Sequence, residues 1–343
     1  MRIGMLTGGG DCPGLNAVIR AVVRKGEEHY GDQFVGFMDG WRGVVDNITM
    51  PLDWERCRDI ISLGGTILGT SRTNPYKLEG GVDKVLATLK DEQIEALITI
   101  GGDDTLGVAN KLMAEGVQVV GVPKTIDNDL SATEVTFGFH TAVQVATDAI
   151  DRLRTTAESH SRVMVCEVMG RHAGWISVYS GIAGGAVDIL IPEEPFDVAS
   201  VCENVKALVS KGRHAAVVVV AEGATPGEGS FSVASSEVDQ FGHVRLGGIA
   251  NLLATEIERH TGIETRVAIL GHVQRGGSPT AFDRVLATRF GIGAIDAVHN
   301  DGFGTMVAIQ ADTIVRVPLN EAVSQPKLVP HEFYEEVAKP LFG

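Results

Sequence analysis

The chain has 343 residues, 44% hydrophobic and 21% charged, a length and balance that fit a globular protein of two domains and exclude a fibrous or low-complexity chain. Its 29 Lys and Arg against 44 Asp and Glu leave a formal charge of −15, which excludes nucleic acid as a partner because phosphate backbones are bound by excess cations. No run approaches the roughly 20 apolar residues of a membrane span, the first residues carry no signal-peptide pattern, and a cytoplasmic location is expected. Cys12, Cys57, Cys166 and Cys202 are widely separated and form no Cys-x-x-Cys pair, so neither zinc nor a disulfide framework is indicated.

Residues 2–6, 34–37, 96–100, 117–122, 162–169, 188–192, 215–221 and 266–270 are apolar, β-branched runs separated by helical patterns. Strand and helix in alternation imply parallel sheet, and unbroken apolar runs imply strands covered on both faces. The fold class expected is α/β, two doubly wound and mainly parallel units. Residues 305–310 and 314–318 flank Ala-Asp-Thr and predict a hairpin. A Gly- and Ser-rich stretch from 223 to 239 predicts a surface excursion, and the chain closes without an obvious element.

Three strand-to-helix turns carry the chemistry. The first, Thr7-Gly8-Gly9-Gly10-Asp11, would let backbone N–H groups approach a phosphate at a helix N-terminus, although an empty tight turn or a partial dinucleotide-binding pattern fits it as well. The second, Gly101-Gly102-Asp103-Asp104-Thr105, adds paired carboxylates, which suit magnesium beside phosphates or, more plainly, helix N-capping. The third, Pro123-Lys124-Thr125-Ile126-Asp127-Asn128-Asp129, spaces two carboxylates so that both face one side of an extended segment. One of them could accept a proton from a hydroxyl while Lys124 balances a transferring phosphoryl group; an Asx-turn is the plainer alternative. Cationic clusters follow at Arg162, Arg171-His172, Arg266 and Gly271-His272-Val273-Gln274-Arg275-Gly276-Gly277. Guanidinium groups bind phosphate through paired hydrogen bonds.

In this order, Thr-Gly-Gly-Gly-Asp, Gly-Gly-Asp-Asp-Thr, Pro-Lys-Thr-Ile-Asp-Asn-Asp, Glu-Val-Met-Gly-Arg and Gly-His-Val-Gln-Arg-Gly-Gly-Ser-Pro resemble the motifs of the phosphofructokinase family. A dinucleotide-binding oxidoreductase explains neither the paired acids nor the later cations. The resemblance implies two α/β domains with the active site between them: 1–138 with 251–304 for the phosphoryl donor and magnesium, 139–250 with 305–319 for fructose 6-phosphate, and 320–343 as a tail. It implies Gly10, Arg72, Gly102, Asp104 and Lys124 at the donor, Asp103 at Mg2+, and Asp127 as general base, with Asp104, Lys124, Asp129 and Arg171 also catalytic. Thr125, Ile126, Asp127, Met169, Gly170, Arg171 and Glu222 would belong to the sugar site. Arg162, Arg266, His272, Val273, Gln274 and Arg275 would bind the sugar and its 6-phosphate, some of them across the interface of a homodimer or homotetramer.

Members of the family that use ATP commonly carry Gly where this chain has Asp104 and Lys124, and both residues resemble pyrophosphate-dependent members. Pyrophosphate is therefore the expected donor, with ATP as the alternative and a non-catalytic phosphosugar-binding regulator as a remote one. Arg20, Arg24, Arg154, Lys211 and Arg213 are cations that an effector phosphate could use, or ordinary surface charge.

Overall fold

The computed structural model describes residues 1–213, 215–227 and 248–343, so most of the expected Gly- and Ser-rich excursion lies outside the described residues. The strands in chain order are β1 Arg2–Thr7, β2 Gln33–Phe37, β3 Thr49–Leu52, β4 Ala96–Gly101, β5 Val119–Pro123, β6 Val163–Val168, β7 Asp188–Leu190, β8 Ala216–Ala221, β9 Thr265–Ile269, β10 Thr305–Gln310 and β11 Thr313–Pro318. They form a seven-stranded sheet in the order β11-β10-β5-β4-β1-β2-β3 and a four-stranded sheet in the order β7-β8-β6-β9. The chain divides into two compact units, Met1–Thr141 with Arg275–Pro326 and Ala142–Gln274 with Lys327–Gly343.

In the first unit, β5, β4, β1 and β2 run parallel, and the edges are closed by antiparallel β3 and by the β10–β11 hairpin. Leu6, Phe37, Leu97, Leu106, Leu112, Val119 and Met306 share one buried apolar cluster, which explains why the central strands read as unbroken apolar runs. The register pairs Thr7 with Ile100 and Gly101 with Pro123, so the carboxyl ends of β1, β4 and β5 lie side by side. All three motif-bearing turns therefore emerge at one edge of one sheet, the end where open α/β sheets bind ligands.

The second unit is a wholly parallel sheet, with Val163, Val165, Val218, Val220, Leu253 and Ile257 in its buried cluster. Here two-sided cover fails at one strand: β9 lies at the edge, Arg266 is exposed and Ile269 is 51% exposed.

The partition differs from the expected one chiefly at the hairpin, at residues 251–274 and in the tail. The hairpin joins the first unit, because Thr305 pairs with Val120 and Met306 with Gly121 of β5. Residues 251–274 join the second unit, because β9 pairs with β6 from Val163↔Thr265 to Glu167↔Ile269. The expected tail is also structured: from Lys327 it belongs to the second unit, and short helical turns run from His331 to Leu341. The Tyr334 hydroxyl donates to the Ile189 carbonyl at 2.5 Å, and Gly343 N donates to the Val187 carbonyl at 3.2 Å.

Asp188 opens β7 as a buried carboxylate that accepts from Asn204 Nδ2 at 3.1 and 3.2 Å. Burial pushes its pKa up to about 7, against the opposing pull of the Asn204 bond. A carboxyl whose folded pKa exceeds its unfolded value of about 3.9 contributes stability that is complete below that value and lost as pH rises through about 7. Asp188→Asn should thus stabilise the protein relative to wild type at pH 8 and lose that advantage towards pH 4, read from denaturant midpoints across pH. An advantage that does not change with pH would contradict this ionisation.

Candidate active site

The first turn at the carboxyl edge of the first sheet is held by groups that lie outside its motif. Gly8 N donates to the Ile100 carbonyl at 2.9 Å, and the Thr70 hydroxyl donates to the Gly9 carbonyl at 2.5 Å. The second bond ties the first turn to the segment that carries Arg72. That segment is fixed further by Thr7 Oγ1 on the Gly69 carbonyl at 2.8 Å and Ser71 Oγ on the Asp39 carbonyl at 2.6 Å, and it leaves Arg72 exposed. Asn16 shapes its approach, donating to the Leu63 carbonyl at 3.1 Å and accepting from Ile67 N at 2.8 Å.

The second turn leads into the helix Asp103–Ala114, whose N-cap is Gly102 with no side-chain cap. Asp103 and Asp104 therefore stand in the first helical turn and do not cap it. Negative charge there is favoured by the helix dipole.

The third turn brings charges into the protein. Lys124 is only 4% exposed, and its ammonium donates to the Gly10 carbonyl at 2.6 Å. Burial lowers its pKa, as does Arg275, while Asp127 and Asp103 oppose the shift. Asp127 is buried and its Oδ1 accepts no hydrogen bond. Asp129, partly buried, has its pKa pushed up to about 7 by burial and then by the charges of Asp127 and Asp103, with the Thr125 hydroxyl pulling it down. The turn is stitched from within: Asp127 N donates to Thr125 Oγ1 at 3.0 Å, Thr136 Oγ1 to the Thr125 carbonyl at 2.7 Å, and Thr136 N to Asn128 Oδ1 at 3.1 Å. The plain alternative of a local side-chain turn therefore holds for Thr125 and Asn128, whereas Asp127 keeps a buried oxygen unused. Ile126 is fully buried, so only its backbone is available to a ligand.

The second unit gathers its own set. Gly170 N and Arg171 N donate to Glu222 Oε1 at 3.3 and 3.1 Å, so Glu222 cradles the turn after β6. Arg171 adopts φ 52°, and a Cβ on Gly223 would lie 2.0 Å from the Arg171 carbonyl oxygen, so only glycine allows the two segments this close. Arg162 and Arg266 converge on Glu264 Oε1 at 3.5 and 2.5 Å, and Arg162 Nε is buried without a partner. Gln274 is buried and accepts from Met169 N at 3.4 Å while donating to the Gly271 carbonyl at 3.1 Å; its amide holds protein, whereas His272 and Val273 are exposed. Arg275 departs from this group. It belongs to the first unit, where Nη1 donates to the Asp11 carbonyl at 3.2 Å.

A sequence model of the phosphofructokinase family matches residues 2–298. The chain belongs to the phosphofructokinase family. It is 61% identical over 343 residues to a pyrophosphate--fructose 6-phosphate 1-phosphotransferase of Amycolatopsis methanolica, covering 100% of both chains. It is 55% identical to an ATP-dependent 6-phosphofructokinase of Mycobacterium leprae, covering 98% of this chain and 99% of that one. A crystal structure of the pyrophosphate-dependent phosphofructokinase from Marinobacter aquaeolei superposes with a TM-score of 0.84 at 23% identity, covering 100% of this chain and 88% of that chain, and shows the same α/β fold. Within the family's match lie Thr70, Asn16 and Thr136, whose supporting bonds sequence reasoning missed. A hydroxyl or amide near a glycine turn carries no signal of its own until the chain brings its partner within reach.

Gly223→Ala tests how tightly the Glu222 cradle is packed. Displacing the Arg171 carbonyl should lower the denaturant midpoint and reduce hydrogen-exchange protection at the Gly170 and Arg171 amides. Unchanged protection at both amides would contradict the close approach.

Proposed function

We propose that the protein transfers a phosphoryl group from inorganic pyrophosphate to the 1-hydroxyl of fructose 6-phosphate, giving fructose 1,6-bisphosphate and orthophosphate. The observation that carries this reading is the buried Lys124 ammonium on the Gly10 carbonyl, in the same unit as the unused Asp127 Oδ1. Asp127 accepts the proton as the sugar oxygen attacks the nearer phosphorus. The bond from that phosphorus to the bridging oxygen breaks, and Lys124 balances the charge that gathers on the departing phosphate. Asp104, in the first turn of its helix, disfavours the extra phosphate of a nucleotide. The whole-length likeness to the Amycolatopsis relative supports the same donor. ATP is the competing donor, favoured by the name of the Mycobacterium relative.

The residues present fit a hard divalent cation: Asp103, Asp127 and Asp129 form a carboxylate group in which burial and mutual repulsion leave negative charge to be offset. Among the described residues these three do not form a ready-made cage; the only group of three close enough to share an ion is Glu194, His331 and Glu335, where Lys339 already contacts both glutamates. Asp103 would therefore hold magnesium largely through substrate oxygens and water. When bound, the ion would neutralise charge on the pyrophosphate oxygens.

Glu222, Met169, Gly170 and Arg171 would position the sugar, and Arg162, Arg266 and His272 its 6-phosphate. Arg162 and Arg266 are held on Glu264, and Ile269, the last residue of edge strand β9, and Val273 in the turn after it are 51% and 62% exposed. This supports self-association, with a second copy completing the phosphate site. A fully active monomer in sedimentation would contradict it.

The direct test is turnover with each donor. Wild-type protein with fructose 6-phosphate and magnesium should use pyrophosphate and scarcely use ATP, and Asp104→Gly should gain ATP turnover while losing activity on pyrophosphate. Asp127→Asn should lower turnover by roughly 10²-fold or more with little change in sugar affinity. Wild-type activity on ATP alone would overturn the donor, and full turnover in Asp127→Asn would remove it as the base.

A further inference from the structure

The turn after β6, from Met169 to Gly174, bends through two consecutive positive φ angles, 148° at Gly170 and 52° at Arg171. A turn of this shape is held from outside or not at all. Glu222 holds its front, accepting from Gly170 N and Arg171 N. Its far end belongs to a second carboxylate that no motif contains. Gly174 N donates to Glu193 Oε1 at 2.9 Å and to Oε2 at 3.1 Å. Gly174 is the N-cap of the helix Trp175–Gly184 and has no side-chain cap of its own. Glu193, three residues beyond β7, takes the N-cap N–H as the glutamate of a capping box would, but from a different strand end. Its negative charge is favoured there by the helix dipole. The fit is close: a Cβ on Gly174 would lie 2.5 Å from Ile191 Cγ2 and 2.9 Å from Glu193 Oε2.

Glu193 also receives a bond from the segment that the sequence presents as a tail. Val329 N donates to the same Oε1 at 2.9 Å. Trp175, which opens the helix, donates through Nε1 to the Lys327 carbonyl at 2.9 Å, and the Lys327 ammonium lies 5.5 Å from the Trp175 ring centroid. Further along the same helix Tyr179 stacks on Phe333 with ring centroids 6.0 Å apart. The segment then runs on to its bonds with the Ile189 and Val187 carbonyls. One carboxylate thus serves two backbone donors, one in the turn and one in the segment, and bonds from N–H groups to a charged acceptor are among the stronger ones a protein makes. Loosening either donor loosens the acceptor of the other.

We propose that Glu193 is a positioning residue for the sugar. It acts through the backbone of Gly174, fixing the far end of the turn that carries Met169, Gly170 and Arg171, and it makes the segment from Lys327 onward part of the support of that site. The inference rests on the phosphotransferase reading and goes beyond it. Glu193 and Glu222 divide the work: Glu222 holds the front of the turn, and Glu193 holds its end and moors the segment beside it.

Steady-state kinetics of Glu193→Ala and Glu193→Gln, with each substrate varied in turn, tests it. Glu193→Ala removes both acceptor oxygens and should raise KM for fructose 6-phosphate by about tenfold while leaving KM for pyrophosphate within about twofold. Glu193→Gln keeps an amide oxygen for Gly174 N and Val329 N and should recover most of that loss. Hydrogen exchange gives a second readout: in Glu193→Ala protection should fall at Gly174 and Val329 and also at Gly170 and Arg171, whose own acceptor Glu222 is intact. Should Glu193→Ala fail to fold, Trp175→Phe removes the bond to the Lys327 carbonyl and keeps an aromatic ring. It should lower protection at Val329 and Gly174 and raise KM for fructose 6-phosphate alone, by about threefold. A rise confined to pyrophosphate, an equal rise for both substrates, no rise for either, or unchanged protection at Gly170 and Arg171 in Glu193→Ala overturns the assignment. So does a Glu193→Gln no better than Glu193→Ala. Wild-type protein that does not turn over fructose 6-phosphate with pyrophosphate would defeat the phosphotransferase reading itself; once wild type is active, the split judges Glu193 alone.

Discussion

A buried ammonium held on a backbone carbonyl organises the first unit. Lys124 stands at the end of β5 with its charge out of water, donating to Gly10 beyond the end of β1. Such a charge is tolerable only if hydrogen bonds and opposite charges compensate its lost hydration, and Asp127 and Asp103 supply the compensation. The same carboxylates push up the pKa of Asp129. The site therefore combines a buried carboxylate oxygen that accepts no hydrogen bond, a carboxyl whose pKa is pushed up by burial and by its neighbours, and two neighbouring cations. These charges are of the kinds that a phosphoanhydride with a divalent cation would complement.

The precision of the arrangement comes from hydroxyl groups on backbone. Thr70 fastens the first glycine turn to the Arg72 segment, Thr7 fastens the base of that segment, and Thr136 fastens the acid-bearing turn. Each bond satisfies a carbonyl in a turn that cannot satisfy it through sheet or helix. The parallel register of β1, β4 and β5 does the rest by setting three strand ends in a row. Phosphoryl transfer asks a protein chiefly for positioning and charge, and rigid strand ends with short stitched turns meet that demand.

Much of this was legible in the sequence because the features are local. Apolar runs mark β1, β4, β5, β6 and β8, and the hairpin of β10 and β11 follows from its short turn. Glycine pairs directly after a strand mark the turns, and the Asp103, Lys124 and Asp127 neighbourhoods follow from them. What stayed hidden is non-local. Nothing in residues 305–310 says that β10 will pair with β5 rather than with a strand of the other unit, since an apolar strand suits either sheet. Likewise β9 reads as a covered strand although it lies at an edge, because its neighbour on one side is absent among the described strands of this chain. The motif around Arg275 looked continuous since sequence adjacency cannot reveal that Gln274 and Arg275 are anchored to different units. Ile126 and Gln274 sit inside motifs and still turn their side chains to packing and bracing.

The central claim is that phosphorus moves from pyrophosphate to the sugar, and the fate of that phosphorus tests it most directly. Phosphorus-31 NMR of wild-type protein with magnesium, pyrophosphate and fructose 6-phosphate, free of nucleotides, should show the pyrophosphate signal replaced by equal amounts of orthophosphate and a new phosphate ester on the sugar's first carbon. Pyrophosphate that persists, or that becomes orthophosphate alone without the new ester, would contradict the account.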